Sequence, residues 1–410
     1  MKCKRGRSRT VAFLLLLTVI IPSCSNPSHD NNTERLYCQV RIADITPEEP
    51  VFLAGFANRT GLSEGIHKQL VTQCLVLKSG QEQVCIIVND LMEVSPVSIR
   101  EIKDSITTST GFSPDNIFVH QTHTHSAPIM DEMGLAWSEA NARYRDKVLE
   151  IISSNAIQAI IDSAAFIPCR IKTGHSDCNI GISRRATDPE TGKSIIGESL
   201  EGHFDPEIGI LQLTSMNNKP VVTIFNYACH PVTLGYENLS VSPDYVGTAR
   251  SIIEKHWGGT AIFLNGAAGD INPVNGLGNS TIIADQEGRE LGQAVVRAIL
   301  QEDSVIGLKV TSGRISLPYR DQNLTSHRIM EEVTRKSSEE TEFVTWKEDV
   351  EKWGERMLKQ LTDRSLPKKR EMEIGGIRIG STLIVFSQGE IFNEYHSRLK
   401  KSFPANRILF

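Results

Sequence analysis

The chain has 410 residues, 40% hydrophobic and 23% charged, the proportions of a globular protein with a large core rather than of a disordered or fibrous one. Its formal charge is -5, and the first 23 residues hold five basic side chains and no acidic one, which leaves -10 on the remainder. Phosphate contacts need a basic surface, so nucleic acid is excluded as a partner class.

Lys2, Lys4, Arg5, Arg7 and Arg9 precede an apolar stretch from Val11 to Ile21 and then Pro22-Ser23-Cys24. A basic start, an apolar segment too short to span a bilayer and a small residue at the break describe an export signal over residues 1–23. Ile-Pro-Ser-Cys resembles a bacterial lipobox, with lipid carried on Cys24, although proline at its second position departs from the usual pattern. Residues 24–35 are polar and turn-forming, as in a tether. These features lead us to expect a lipoprotein of a bacterial envelope, periplasmic or on the cell surface, associated with the membrane through Cys24. Neither a repeat nor a composition break interrupts residues 36–410, so one α/β catalytic domain is expected there, with mixed β-sheets flanked by helices.

Along that domain, residues 36–92 read as strands, including a hairpin, LVTQCLVLKSGQEQVCIIV, that places Cys74 and Cys85 about Ser79-Gly80. Either a cross-strand disulfide or two buried thiols fits this placement, and the apolar surroundings favour the thiols. Val97, Ile99, Ile102 and Ile106 have helical spacing behind a Ser95 cap, IFVHQTHTHS reads as extended, and 139–165 reads as helix. The stretch 166–203 is less regular. A second hairpin is expected over 205–227, then a helix opened by Ser242-Pro243 and running to about His256, the strand AIFL, and a helix over 284–301. Residues 327–364 are charged and helical, a solvated pair. A tight hairpin, GIRIGSTLIVF, follows, then a helix begun by Glu390 and ending near Phe403, and a last strand in NRILF.

Four short apolar runs, IFV, VVTIF, AIFL and TLIVF, end at THTHS, CHP, GAAGDINP and QGE respectively. Strand carboxyl ends in α/β domains converge on one crevice, so His123, His125, His230, Asp270, Asn272 and Glu390 are expected to share a site, with Asp90 a further contributor. In an extended segment His123 and His125 would project to one side and Thr122 and Thr124 to the other. Imidazoles of His123, His125 and His230 with the Glu390 carboxylate form a nitrogen and oxygen set that suits Zn2+, and three protein ligands leave a position for water, which points to hydrolysis.

The ordered blocks NIFVHQTHTHSAP, SRR at 183–185, NYACHPV followed by SPDYVG, GAAGDINP and QGE resemble those of the neutral (non-lysosomal) ceramidase family. The resemblance implies a zinc-dependent amidase acting on the N-acyl bond of ceramide or a related lipid-like amide or ester. It makes His123, His230 and Glu390 the metal ligands. His125 and Arg184 become residues that handle substrate and oxyanion, with Asn272 and Asp270 beside them. Asn272 stands where the family has a serine, and the chain ends before the family's tyrosine ligand, so a catalytic domain without the carboxyl-terminal segment is expected; Tyr395 does not match that tyrosine. The alternative is an exported lipid- or glycan-binding protein with a degraded site.

Overall fold

The computed structural model describes residues 35–131, 137–319, 324–338 and 346–410, so the expected export signal and all of the tether but Arg35 lie outside it. β1 (Leu36–Asp44), a short β2 (Gly65–Ile66) and the hairpin of β3 (Val71–Ser79) and β4 (Glu82–Asn89) come first. The hairpin turns at Gly80-Gln81, pairing Ser79 with Glu82, so Cys74 faces Ile87 and Cys85 faces Val76. The two thiols are therefore diagonal neighbours, 3.4 Å apart, both free and buried.

α1 (Pro96–Thr110) starts at the expected cap: Ser95 Oγ accepts the Ser98 N–H, and Gly111 in the left-handed region closes the helix onto Thr107 O. β5 (Ile117–Gln121) then runs parallel to β4, and α2 (Glu139–Ile161) begins behind a Ser138 cap. The irregular stretch resolves into three strands the sequence does not signal, β6 (Ile167–Asp177), β7 (Gly181–Thr187) and β8 (Ser194–Ser199). β8 is largely exposed, which removes the apolar alternation that marks a half-buried strand. β9 (Glu207–Ser215) and β10 (Pro220–Tyr227) form the second hairpin.

After β11 (Ser240–Val241), α3 (Tyr245–Trp257) is capped by Asp244 at φ 56, not by Ser242; the Ser242 hydroxyl instead accepts the Asp244 N–H, leaving Pro243 outside the helix. β12 (Thr260–Asn265), β13 (Ile271–Pro273) and α4 (Thr281–Val296) follow, α4 lying a few residues earlier than expected at both ends. β14 (Gln301–Glu302) and the long β15 (Leu308–Pro318) were not legible in the sequence. The charged pair is α5 (Ser326–Ser337) and α6 (Trp346–Thr362). β16 (Lys369–Ile379) and β17 (Thr382–Ser387) form the tight hairpin. α7 (Asn393–Ser402) starts three residues after Glu390, which therefore lies in the loop before it, and β18 (Arg407–Leu409) pairs with β17.

Among the described residues the main sheet has the order β12-β10-β9-β6-β1-β3-β4-β5, with β14 on β6, and a second sheet has the order β15-β16-β17-β18. The main sheet curls until its two terminal strands meet: the Asn265 N–H at the end of β12 donates to His120 Nε2 on β5 at 3.0 Å, and Asn265 Nδ2 donates to Thr122 O. That closure brings the carboxyl ends of β5 and β10 together, although the strand order sets them at opposite ends. Cys74, Val76, Cys85 and Ile87 pack outward under α1 and α2, while Leu75, Leu77, Val84 and Ile86 pack inward against Ile377, Ile379 and Ile384 of the second sheet. Each fully buried Leu or Ile contributes about 1.5–3 kcal/mol relative to exposure. α3 and α4 cover Phe225, Tyr227 and Phe263 at the other end.

Candidate active site

Each of the four apolar runs is a strand, and the loops after β5, β10, β12 and β17 meet above the closed sheet. His123 does not continue β5. The chain leaves the strand at Gln121 and His123 takes φ 68, its N–H donating to Leu91 O at 2.9 Å. The expected alternation is therefore replaced by a left-handed residue, yet the outcome is kept: Thr122 and Thr124 are buried elsewhere, while the His123 and His125 rings lie 5.0 Å apart. The His230 ring is 4.9 Å from His123 and 5.7 Å from His125, and one ring nitrogen of each of the three lies within 4.8 Å of the others. This cluster could hold a metal ion.

The tautomers are set from behind. His123 Nδ1 donates to Met92 O at 2.8 Å and His230 Nδ1 to Ala268 O at 2.6 Å, so both rings turn Nε2 to the centre, where the neutral tautomer offers a lone pair. Glu390 closes the arrangement, with Oε1 3.7 Å from His123 Nε2 and Oε2 3.3 Å from His230 Nε2. Both Nε2 atoms, and both ring nitrogens of His125, are buried without a hydrogen-bond partner among the described residues. Two orphaned imidazole nitrogens facing a carboxylate, each ring pinned by a carbonyl at its other nitrogen, are what a divalent cation with nitrogen and oxygen ligands requires.

Electrostatics agree with this geometry. Burial pushes the His123 imidazole down to about 4, with the His230 ring adding to the effect. Burial, then the neighbouring His123 and His230, hold His125 well below the usual histidine range. The His230 ring against it, helped by His123 and Arg184, holds the Glu390 carboxyl down at about 2 in spite of its partial burial. Near pH 7 the His123 and His125 rings are therefore neutral and Glu390 is ionised.

Arg184, on β7, donates from Nη2 to Glu390 Oε2 at 3.0 Å and to Gly269 O at 2.9 Å, and from Nη1 to Asn272 Oδ1 at 3.4 Å. Asn272 therefore borders the site through Arg184. Asp270 is turned away from the histidines: its Oδ1 accepts the Asn393 N–H at 2.7 Å, at the start of α7. Gly269 sits so close to the Glu390 backbone that a Cβ there would fall 2.5 Å from Glu390 O. Asp90 is not a site residue either. It is fully buried, bonded to Arg250 at 2.5 Å, to the Val71 N–H and to the Thr122 hydroxyl, and so anchors the histidine loop from beneath. A cavity of about 480 Å³ opens on His123, His230 and Glu390, lined by Val94, Ile99, Val119, Leu264, Phe386 and Ile391 together with the polar Glu93, Gln121, Asn265, Arg370 and Gln388.

The family described as "Neutral/alkaline non-lysosomal ceramidase, N-terminal" matches residues 38–286. The chain belongs to this family. Neutral ceramidase A of Dictyostelium discoideum is 26% identical over 254 residues, covering 57% of this chain and 35% of that protein. The neutral ceramidase of Drosophila pseudoobscura pseudoobscura is 23% identical over 269 residues, covering 60% and 37%. The chain thus spans about a third of the length of the curated relatives it matches. The crystal structure of neutral ceramidase from Pseudomonas aeruginosa shares the fold with a TM-score of 0.65 at 16% identity, over 92% of this chain and 67% of that one. A structure of ceramidase complexed with C2 gives a TM-score of 0.64 at 14% identity, over 92% and 68%. The ceramidase-family match takes in every candidate residue except Glu390, whose place rests on geometry. Sequence reasoning missed Gly55, Phe56 and Arg59, which touch His125; they lie in LAGFANR, an aperiodic loop without a histidine or a carboxylate.

Proposed function

We propose that the protein is a zinc-dependent hydrolase that cleaves the N-acyl amide bond of ceramide or a related lipid-like amide or ester. The observation that carries this is the convergence of two carbonyl-pinned imidazoles on the Glu390 carboxylate at the mouth of a partly apolar cavity. His123, His230 and Glu390 would hold the ion. Zinc, when bound there, supplies a Lewis acid for a carbonyl oxygen and brings the pKa of water toward about 7.

The chain's own residues supply the rest. The apolar walls of the cavity take an alkyl chain and exclude water from the scissile bond. Arg184, steered by Glu390 and Asn272, presents its guanidinium where negative charge develops on the acyl oxygen. His125, neutral and with neither nitrogen hydrogen-bonded among the described residues, takes the proton of the attacking water as the C–O bond forms and gives it to the leaving nitrogen as the C–N bond breaks. Asn272 has no hydroxyl to attack with, which fits water as the nucleophile. The same reading carries export through residues 1–23 and a lipid anchor at Cys24 that would hold the enzyme at an envelope membrane, close to its substrate.

Metal analysis of the purified protein tests the reading: one zinc per chain is expected, lost in His123→Ala and in His230→Ala, together with turnover of N-acyl amides that a chelator abolishes and zinc restores. Full zinc occupancy in both variants overturns the ligand assignment. Zinc binding without turnover of any amide or ester favours a binding protein.

A further inference from the structure

We propose that Gly55, Phe56 and Arg59 form a cradle that sets the His125 imidazole, acting as positioning residues for the reaction. The catalytic consequence rests on the hydrolase reading; the geometry does not. Unlike His123 and His230, His125 has no hydrogen bond at either ring nitrogen among the described residues, so contact must fix its ring. Gly55, at φ 100, lays its bare Cα against the imidazole: a Cβ there would fall 2.3 Å from Nδ1 and 2.4 Å from Cγ. The Phe56 ring meets the imidazole edge-on, with centroids 5.1 Å apart.

Arg59 locks this surface to the backbone. Its guanidinium lies over the Phe56 ring, 4.9 Å from the centroid, and Nη1 donates to His125 O at 2.7 Å and to Ala54 O at 2.5 Å. Nη2 donates to Gly235 O at 2.9 Å and Nε to Tyr236 O at 3.4 Å, so one side chain ties together three segments distant in sequence. All four of these bonds go to carbonyls, and the side chain is 6% exposed. Closing a loop alone does not call for a buried cation facing carbonyls; a rigid fork of five donors is what meets three backbones at once. The His125 N–H, donated to Pro231 O at 3.2 Å, completes the clamp next to His230.

The test uses the full chain with ¹³C at histidine Cε1, the His125 resonance being assigned by its loss in His125→Gln. Gly55→Ala is expected to move that resonance, to leave the His123 and His230 resonances and the zinc content unchanged, and to lower kcat on an N-acyl amide about a hundredfold with KM little changed. Arg59→Met should do the same, and Arg59→Lys, which keeps charge but not the fork, should recover only part of kcat. An unmoved His125 resonance in Gly55→Ala overturns the proposal. So does a joint shift of all three histidines with loss of zinc, which would mark general loosening. If Gly55→Ala does not fold, Phe56→Ala takes its place under the same criteria. Should the parent protein turn over no amide or ester, the hydrolase reading fails while the resonances still decide the cradle.

Discussion

Replacing Asp90 with alanine should destabilise the protein far more than removing a surface carboxylate. Asp90 is fully buried and Arg250 is 7% exposed; the pair is joined at 2.5 Å, and Asp90 also accepts from the Val71 N–H at 3.0 Å and the Thr122 hydroxyl at 3.3 Å. Asp90→Ala leaves the guanidinium buried with, among the described residues, only the Gln73 Oε1 hydrogen bond at 3.4 Å, and breaking a buried pair from one side costs about 3–5 kcal/mol. The orphaned Val71 amide adds about 1 kcal/mol or more. Removing both charges in Asp90→Ala/Arg250→Met should cost less than Asp90→Ala alone, by about 2 kcal/mol, because no unpaired ion remains. Equilibrium urea unfolding, followed by fluorescence and circular dichroism, measures both values. A single-variant loss below about 1 kcal/mol, or strict additivity in the double variant, would refute the claim that this pair anchors the histidine loop.

Acidification should remove stability through His120, whose imidazole burial pushes down to about 4. Below about pH 6.5 the unfolded chain takes up a proton that the folded chain refuses, so a contribution of about 1–3 kcal/mol, complete above pH 6.5, is lost as pH falls through 4. Thermal melts of His120→Gln should show that acid leg flattened, and an unchanged leg would contradict it. Gly269→Ala should push the Glu390 backbone away, weakening zinc about 10–100-fold in competition titrations and lowering the melting temperature as well; unchanged affinity would remove Glu390 from the ligand set. Cys38, Cys74, Cys85, Cys169, Cys178 and Cys229 should resist a thiol reagent in the native protein and react in denaturant, whereas a disulfide between Cys74 and Cys85 would remove two of them.

The strands that carry the site were legible because each is a β-branched run cut off at once by Gly, Pro or a polar residue. The left-handed turn at His123 was not, since a histidine there announces no φ; the Leu91 and Met92 carbonyls that hold it come from another strand. For the same reason Asp244 took the cap that Ser242-Pro243 advertised, and Asp90, read as a site residue at a strand end, proved to serve Arg250. β7 and β8 escaped notice because their side chains face water or polar neighbours, yet β7 delivers Arg184. Residue types at the strand ends pointed to the three histidines and Glu390 that the fold brings together, and the family resemblance chose His123, His230 and Glu390 among them. What no local pattern encodes is the curling of the main sheet that lets β5 and β10 open onto one another.

The most direct measurement is the anomalous scattering map of a zinc-soaked crystal collected at the zinc edge. The account predicts a single peak within bonding distance of His123 Nε2, His230 Nε2 and a Glu390 carboxylate oxygen, with His125 beside it but unbound. A peak ligated by His125 in place of Glu390, or zinc bound elsewhere on the chain, would contradict it.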